Sequence, residues 1–309
     1  MENKITDREH RIRDLVNDPW QRELIFTDKV KWNKVCSCMD VIGDSQMAIS
    51  DYLKLPEFSA SNGGYLYLYG LLQAFFLQQD AVNHLSIALF DEEINWKRDF
   101  AELYEIRELR NDAIGHPTNR NNKSFHFITR YSLTKNFFQL SSHFPSEGRM
   151  DMRSIYITEL LEKQEKSIIS ILDKAIIMME ENLKNHKKKF SDKKLIDIIP
   201  DSWGYYVSKV YEGIYSNHPL AEMHFRLILD VYENLKKGIV ERYESISVLI
   251  GVQDEVRKID YIANRLKEWI SNGELAGNND AEVFLDCFVD RFSDLKKMLI
   301  EIDNEFDTK

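Results

Sequence analysis

The sequence predicts a mostly α-helical protein: an N-terminal four-helix bundle with a short β-like insertion, followed by a smaller all-helical region. Three observations carry that expectation. Only 12 glycines and 6 prolines occur in 309 residues, so turns are few and regular elements long. Apolar residues recur every three to four positions through most of the chain. The exception is residues 117–150, where aromatic and β-favouring residues replace that period.

Taken in order, residues 6–17 fit a short helix broken near Pro19. Thr27 or Asp28 caps a longer helix to about Tyr52, with Val30, Trp32, Val35, Met39, Ile42 and Ile49 inward. Residues 55–64, with Pro56, Asn62 and two glycines, read as a loop. Residues 65–90 begin with strand-like alternation but continue at helical spacing for too long to be one strand, so a helix is expected, with His84 as a core histidine. Residues 99–114 form the next helix, which Gly115 ends as a left-handed stop before Pro117. Residues 124–131 and 137–141 suggest two short strands or an irregular insertion. The longest helical pattern covers 151–187, with Ile155, Leu160, Ile168, Leu172 and Met179 on one stripe and a solvated basic end at 186–189.

Polar residues 188–202, with Pro200, are the best linker, which gives a bundle at 1–190 and a helical region at 200–309. Beyond it, amphipathic segments cover about 203–215, 219–251, 253–272 and 280–306. Asn272-Gly273 stops one helix, and Asn278-Asn279-Asp280 caps the next. No repeat of 20–50 residues recurs, which argues against a solenoid.

Composition narrows the function. A chain with 43% hydrophobic and 30% charged residues is an ordinary globular protein. The net charge of −10, with a pI near 5.4, argues against indiscriminate binding to polyanions. Charge distribution says more. Residues 117–146 contain no Asp or Glu but include Arg120, Lys123, Arg130 and Lys135, a local basic patch suited either to RNA or to an acidic part of the same chain. Cys36, Cys38 and Cys287 make no disulfide framework and lack zinc-knuckle spacing, so they read as reduced core thiols. A charged N-terminus and the lack of a long apolar run predict no secretory signal and no membrane span, hence a soluble cytoplasmic protein.

The most informative stretch is Arg110-Asn111-Asp112-Ala113-Ile114-Gly115-His116-Pro117. At about 100° per residue, a straight helix would leave Arg110 and His116 on different faces, whereas a reversal at Gly115 returns the imidazole over the last turn. An arginine, a polar neighbour and a histidine at a helix end resemble the Rx4-6H signature of the HEPN family (higher eukaryotes and prokaryotes nucleotide-binding). Outside the octapeptide the resemblance is one of architecture, over roughly residues 28–187.

That resemblance implies a metal-independent endoribonuclease, needing no cofactor, in which the ribose 2′-hydroxyl attacks the adjacent phosphate and leaves a 2′,3′-cyclic phosphate end. Arg110, Asn111 and His116 would be catalytic: respectively a cation for developing charge, an orienting amide and a proton carrier. Asp112 would support the arginine, and Arg107 would join the site or pair with Glu105 or Glu108. Arg120, Lys123, Arg130 and Lys135 would meet RNA. Members of the family pair two such motifs at a symmetric interface, which implies a homodimer with a composite groove. The resemblance further implies a toxin or antiphage effector controlled by an antitoxin or another regulatory partner.

Two other readings fit the same residues. One is a non-catalytic HEPN-like module that binds a nucleotide or protein and dimerises; the other is a helical scaffold in which the octapeptide is a helix stop. His126 and His143 lie in the insertion with Phe125, Phe127 and Tyr131, aromatics that either stack on unpaired bases or, as is commoner at strand spacing, fill a core. His218 and His224 lack a second ligand set and read as structural. No phosphate-binding glycine loop, dinucleotide fingerprint, zinc-protease motif or nucleophile elbow is present.

Overall fold

A computed structural model describes residues 4–216 and 219–307, which leaves His218 outside the described residues. Eleven α-helices and one small sheet make up the described chain, a mostly α fold. Two compact units divide it: Met1–Val16 with Ile25–Met179, and Asn17–Leu24 with Glu180–Lys309. The division falls inside one long helix and not in the polar stretch 188–202.

In the first unit, α1 (Lys4–Val16) precedes α2 (Pro19–Phe26), most of which belongs to the second unit. Pro19 therefore opens a helix instead of only breaking one. Its missing N–H costs nothing in the first turn, and the Asp18 carboxylate accepts from the N–H groups of Trp20 and Gln21 at 3.1 and 3.3 Å. The Asp28 carboxylate likewise caps α3 (Lys29–Lys54) by accepting from Val30 and Lys31. Val35, Met39, Ile42 and Ile49 face inward as expected, but Val30, in the first turn, is 76% exposed.

Helix α4 (Gly64–Phe90) packs along α3, and its apolar stripe of Leu68, Leu72, Phe75 and Leu85 is fully buried. Each such side chain contributes about 1.5–3 kcal/mol. His84 is exposed and is no core histidine. Buried Gln78 and Gln79 on α4 are satisfied by other glutamines: Gln78 donates to Gln46, Gln79 donates to Gln164, and Gln164 donates to Gln78 and to the Phe75 carbonyl. This chain of amides fixes the register of α3, α4 and α7 (Ile157–Phe190).

The expected helix at 99–114 is divided. A single turn, α5 (Trp96–Asp99), gives way at Phe100 to α6 (Ala101–Arg110). Three strands follow, β1 (Phe125–Ile128), β2 (Phe137–Phe144) and β3 (Arg149–Tyr156), antiparallel in the order β1-β2-β3. The third strand occupies residues expected to start the long helix. Its partly covered positions, Asp151 and Ile155, are four apart with Arg153 exposed between them, a spacing that also suits a helix. The insertion therefore runs to Tyr156, not 150. The Tyr52 hydroxyl donates to the Lys135 carbonyl at 2.6 Å, which fastens the insertion to the end of α3.

The second unit holds α8 (Trp203–Ser216), α9 (Ala221–Tyr243), α10 (Ile250–Ser271) and α11 (Asn279–Phe306) around Ile228, Tyr232, Leu235, Ile259, Phe288 and Leu299. Glu244, at φ 65°, breaks the expected 219–251 helix. Gly273, at φ 72°, and Asn278 provide the expected stop and cap. Among the histidines, His224 is buried and donates from Nδ1 to the Leu220 carbonyl at 2.8 Å, a structural role. His186, expected at a solvated helix end, is instead buried and stacked on Trp20 at 3.8 Å. Cys38 is buried, but Cys287 is exposed, so not every thiol is in a core. Among the described residues no helix is long and apolar enough to cross a membrane.

The polar stretch 188–202 is folded, not free. The Asp303 carboxylate, 4% exposed, accepts from the N–H groups of Leu195 and Ile196 and from the Arg242 guanidinium at 2.8 Å. Arg242, 1% exposed, also donates to the Lys193 carbonyl and covers the Phe306 ring at 4.4 Å. Removing one member strands a buried charge. Asp303→Ala should therefore cost about 3–5 kcal/mol, read as a lowered denaturant midpoint, whereas a loss near zero would show the pair to be dispensable.

Candidate functional site

The motif lies on α6 and the turn after it, and the turn is not the one expected. Residues Asn111–Gly115 form a π-helical turn, closed by the His116 N–H donating to the Asn111 carbonyl at 2.7 Å. Gly115 has no positive φ, so left-handed geometry is not why glycine stands there. Close approach is the reason. A Cβ on Gly115 would lie 2.9 Å from Arg110 Nη1 and 3.3 Å from Asn111 Oδ1, so the bare Cα makes room for the guanidinium.

Asn111 joins the two outer residues of the motif. Its main-chain carbonyl holds His116, and its side-chain oxygen accepts from Arg110 Nη1 at 3.2 Å. Arg110 is further held by α4, where Gln73 Oε1 accepts from Nε at 3.2 Å and Nη2 at 2.8 Å, and the Phe76 ring lies 4.4 Å from the guanidinium carbon. His116 is exposed, and Arg110 is partly so. Both can reach a ligand.

Four arginines surround this turn, and they differ in what neutralises them. Arg107 pairs with Asp80 at 2.8 Å and covers Phe76 and Trp96, so neither Glu105 nor Glu108 is its partner. Arg120 is bound by Asp112 and, at 2.6 Å, by Glu108. Arg153 donates to Asp112 at 2.9 Å. Among the described residues, Arg110 alone of the four has only neutral acceptors and a ring. A guanidinium fixed in place with its charge uncompensated is preorganised for an anion.

Asp112 serves a different purpose from the one expected. It does not bond Arg110; it is buried and takes Arg120, Arg153 and, at 3.4 Å, the ring of His126. His126 Nε2 lies 2.9 Å from the Ser124 hydroxyl and Nδ1 lies 2.8 Å from that of Ser142. Serine, histidine and aspartate thus meet at a cavity of about 510 Å³, but Ser142 is 3% exposed and two guanidinium groups already hold the carboxylate. This cluster fastens β1, β3 and the 117–124 loop to the π turn. Burial lowers the His126 pKa from its ordinary value, Asp112 opposes that shift, and the Arg120 and Arg153 charges add to it.

The cations expected to meet RNA divide in two. Arg120 is committed to the cluster, and Lys135 donates to the carbonyls of Leu53 and Leu55 at the end of α3. Lys123 and Arg130 are exposed and carry no ion pair among the described residues. Among those residues no three His, Cys, Asp or Glu side chains converge as a metal site. Sequence reading missed Gln73, Phe76 and Arg153, and set Glu108 beside Arg107 instead of Arg120. Gln73 sits in an otherwise apolar run, which was a usable signal, whereas Arg153 was hidden by the helical reading of β3.

Lowered in the folded state, the His126 pKa makes the cluster acid-sensitive. The unfolded chain takes up the proton first, so stability is complete above the ordinary value of 6.5 and is lost as pH falls through the folded value. Thermal melts at pH 7.5 and pH 5 should fall further apart for the native protein than for His126→Gln, which keeps an amide between the serines without titrating; equal separations would remove His126 from the account. No protein-family model matches the chain, and no curated protein or solved structure matches it significantly.

Proposed function

We propose that the protein is a metal-independent endoribonuclease of HEPN type, acting as a homodimer that brings two Arg110–His116 turns into one groove. The observation that carries this reading is the treatment of Arg110, held by Gln73, Asn111 and Phe76 while its neighbours Arg107, Arg120 and Arg153 are neutralised by carboxylates. A purely structural arginine is normally satisfied as those three are. A phosphodiester would supply the missing anion.

The chemistry needs little more. The ribose 2′-hydroxyl attacks the adjacent phosphorus, the bond to the 5′-oxygen breaks, and the products are a 2′,3′-cyclic phosphate and a 5′-hydroxyl. An imidazole removes the 2′ proton and another proton reaches the leaving oxygen, a pair of duties that two exposed His116 side chains in a symmetric groove could divide. Arg110 stabilises the charge that develops on the phosphoryl oxygens, and Asn111 sets its position. The acidic net charge limits casual capture of RNA and suits a cytoplasmic toxin or antiphage effector held by a regulatory partner.

A second reading keeps the dimer and the anion site without the reaction, as a nucleotide-binding module. One experiment separates the two. Purified protein is incubated with a mixed RNA pool in EDTA beside His116→Ala and Arg110→Ala, and product ends are tested for cyclic phosphate. The nuclease reading expects roughly 10²- to 10⁴-fold loss in each variant; nucleotide binding by an inert native protein would favour the module, and equal cleavage by all three would place the activity elsewhere.

A further inference from the structure

The sheet has two unlike faces. Phe138, Leu140 and Ser142 of β2 point inward and are buried, opposite Ile155, Arg153 and Asp151 of β3. On the other face the cross-strand register makes rows: Phe125, His143 and Met150 in one, Phe127, Ser141 and Met152 in the next, then Gln139 beside Ser154, and Phe137 beside Tyr156 with ring centroids 5.2 Å apart. Phe127 and Tyr156 are 50% exposed and Met150 and Met152 are each 59% exposed. The outer strands thus supply most of the exposed aromatic and methionine side chains, and the middle strand sets Phe137, Gln139 and His143 among them. Ser141 is 1% exposed and bonded to Thr129, so the polar groups open to a ligand are Gln139 and His143.

An exposed apolar sheet face invites an occupant. The charge around this one chooses among them. None of the residues on the outer face is acidic, residues 117–146 contain no Asp or Glu, and Arg130 is exposed without an ion pair among the described residues, whereas Lys123 lines the cavity of Asp112 and Arg153 on the other side. Glu147 and Asp151 are both held by Arg149. In a chain with 51 acidic residues in 309, such a gap suits an anionic partner with flat apolar parts, and unpaired nucleotides have both.

We propose that this outer face is a stacking platform for single-stranded RNA, with Phe127 and Tyr156 as base-stacking residues and Arg130 meeting phosphates. Asp112 links the platform to the motif, since it bonds Arg153 of β3 while standing two residues from Arg110. The platform's purpose, delivering strand to the Arg110–His116 turn, rests on the nuclease reading; its binding does not.

Equilibrium binding tests it directly. The probe is a fluorescein-labelled 12-nucleotide RNA, single-stranded or annealed to its complement, titrated with His116→Ala protein so that cleavage does not intervene. Preference for the single strand is expected, with Phe127→Ala and Tyr156→Ala each weakening it about fivefold to a hundredfold and Phe127→Trp retaining it. Both sites are half exposed, so the variants should fold, and thermal melts check that. Equal affinity for both RNAs, or no effect of either alanine, overturns the platform and leaves the cleavage experiment intact. Sensitivity to Phe127 with no cleavage by the native protein keeps the platform and removes the nuclease. Binding to phosphatidylglycerol vesicles but not to RNA, or loss of a dimer in Phe127→Ala, would show that a membrane or a second copy takes this face and overturn the proposal.

Discussion

The buried carboxylate of Asp112 is the constraint on which the site depends. It stands in the middle of the π turn and accepts from a loop arginine and a strand arginine while touching a strand histidine. One aspartate thus draws the loop, β1 and β3 onto the end of α6. A buried carboxylate is tolerated only when paired, and the pairing accounts for two of the four cations near the motif. Asp80 takes the third. What remains is one guanidinium with no negative partner among the described residues, and the chemistry proposed for the turn follows from that remainder.

The π turn works with this division of charge. Its extra residue brings His116 back by an i to i+5 bond and leaves Gly115 under the Arg110 side chain. The orientation of Arg110 then comes from α4, where Gln73 and Phe76 lie one turn apart. The glutamine chain behind them fixes α4 against α3 and α7. Position is therefore set by neutral groups. The charge stays uncompensated because of that.

Much of this was legible in the sequence, for physical reasons that differ from element to element. Long amphipathic helices declare themselves by period, and α3, α4 and α11 match their expected extents closely. The Asp28, Asn278 and Gly273 signals act through local hydrogen bonds or φ, which sequence reveals directly. The failures were of another kind. The role of Gly115 depended on a guanidinium packed over it, one partner of Asp112, Arg153, came from a strand 41 positions away, and β3 satisfied two periods at once. Phe125, Phe127 and Tyr131 were expected more often in a core but are exposed, the first two on the outer face of β1 and Tyr131 in the turn after it. Such contacts are tertiary, and no local pattern records them.

The central claim is that Arg110 is held without being neutralised so that its charge meets a phosphate. Gln73→Glu changes that one property, because the carboxylate is nearly the same shape as the amide and would pair with Arg110 in place. Rates of RNA cleavage in EDTA and melting temperatures should be measured together for the native and substituted proteins. The account predicts at least about a hundredfold slower cleavage with a melting temperature unchanged or raised. Cleavage at the native rate by a stably folded Gln73→Glu protein would contradict it, as would the absence of any RNA cleavage or nucleotide binding by the native protein.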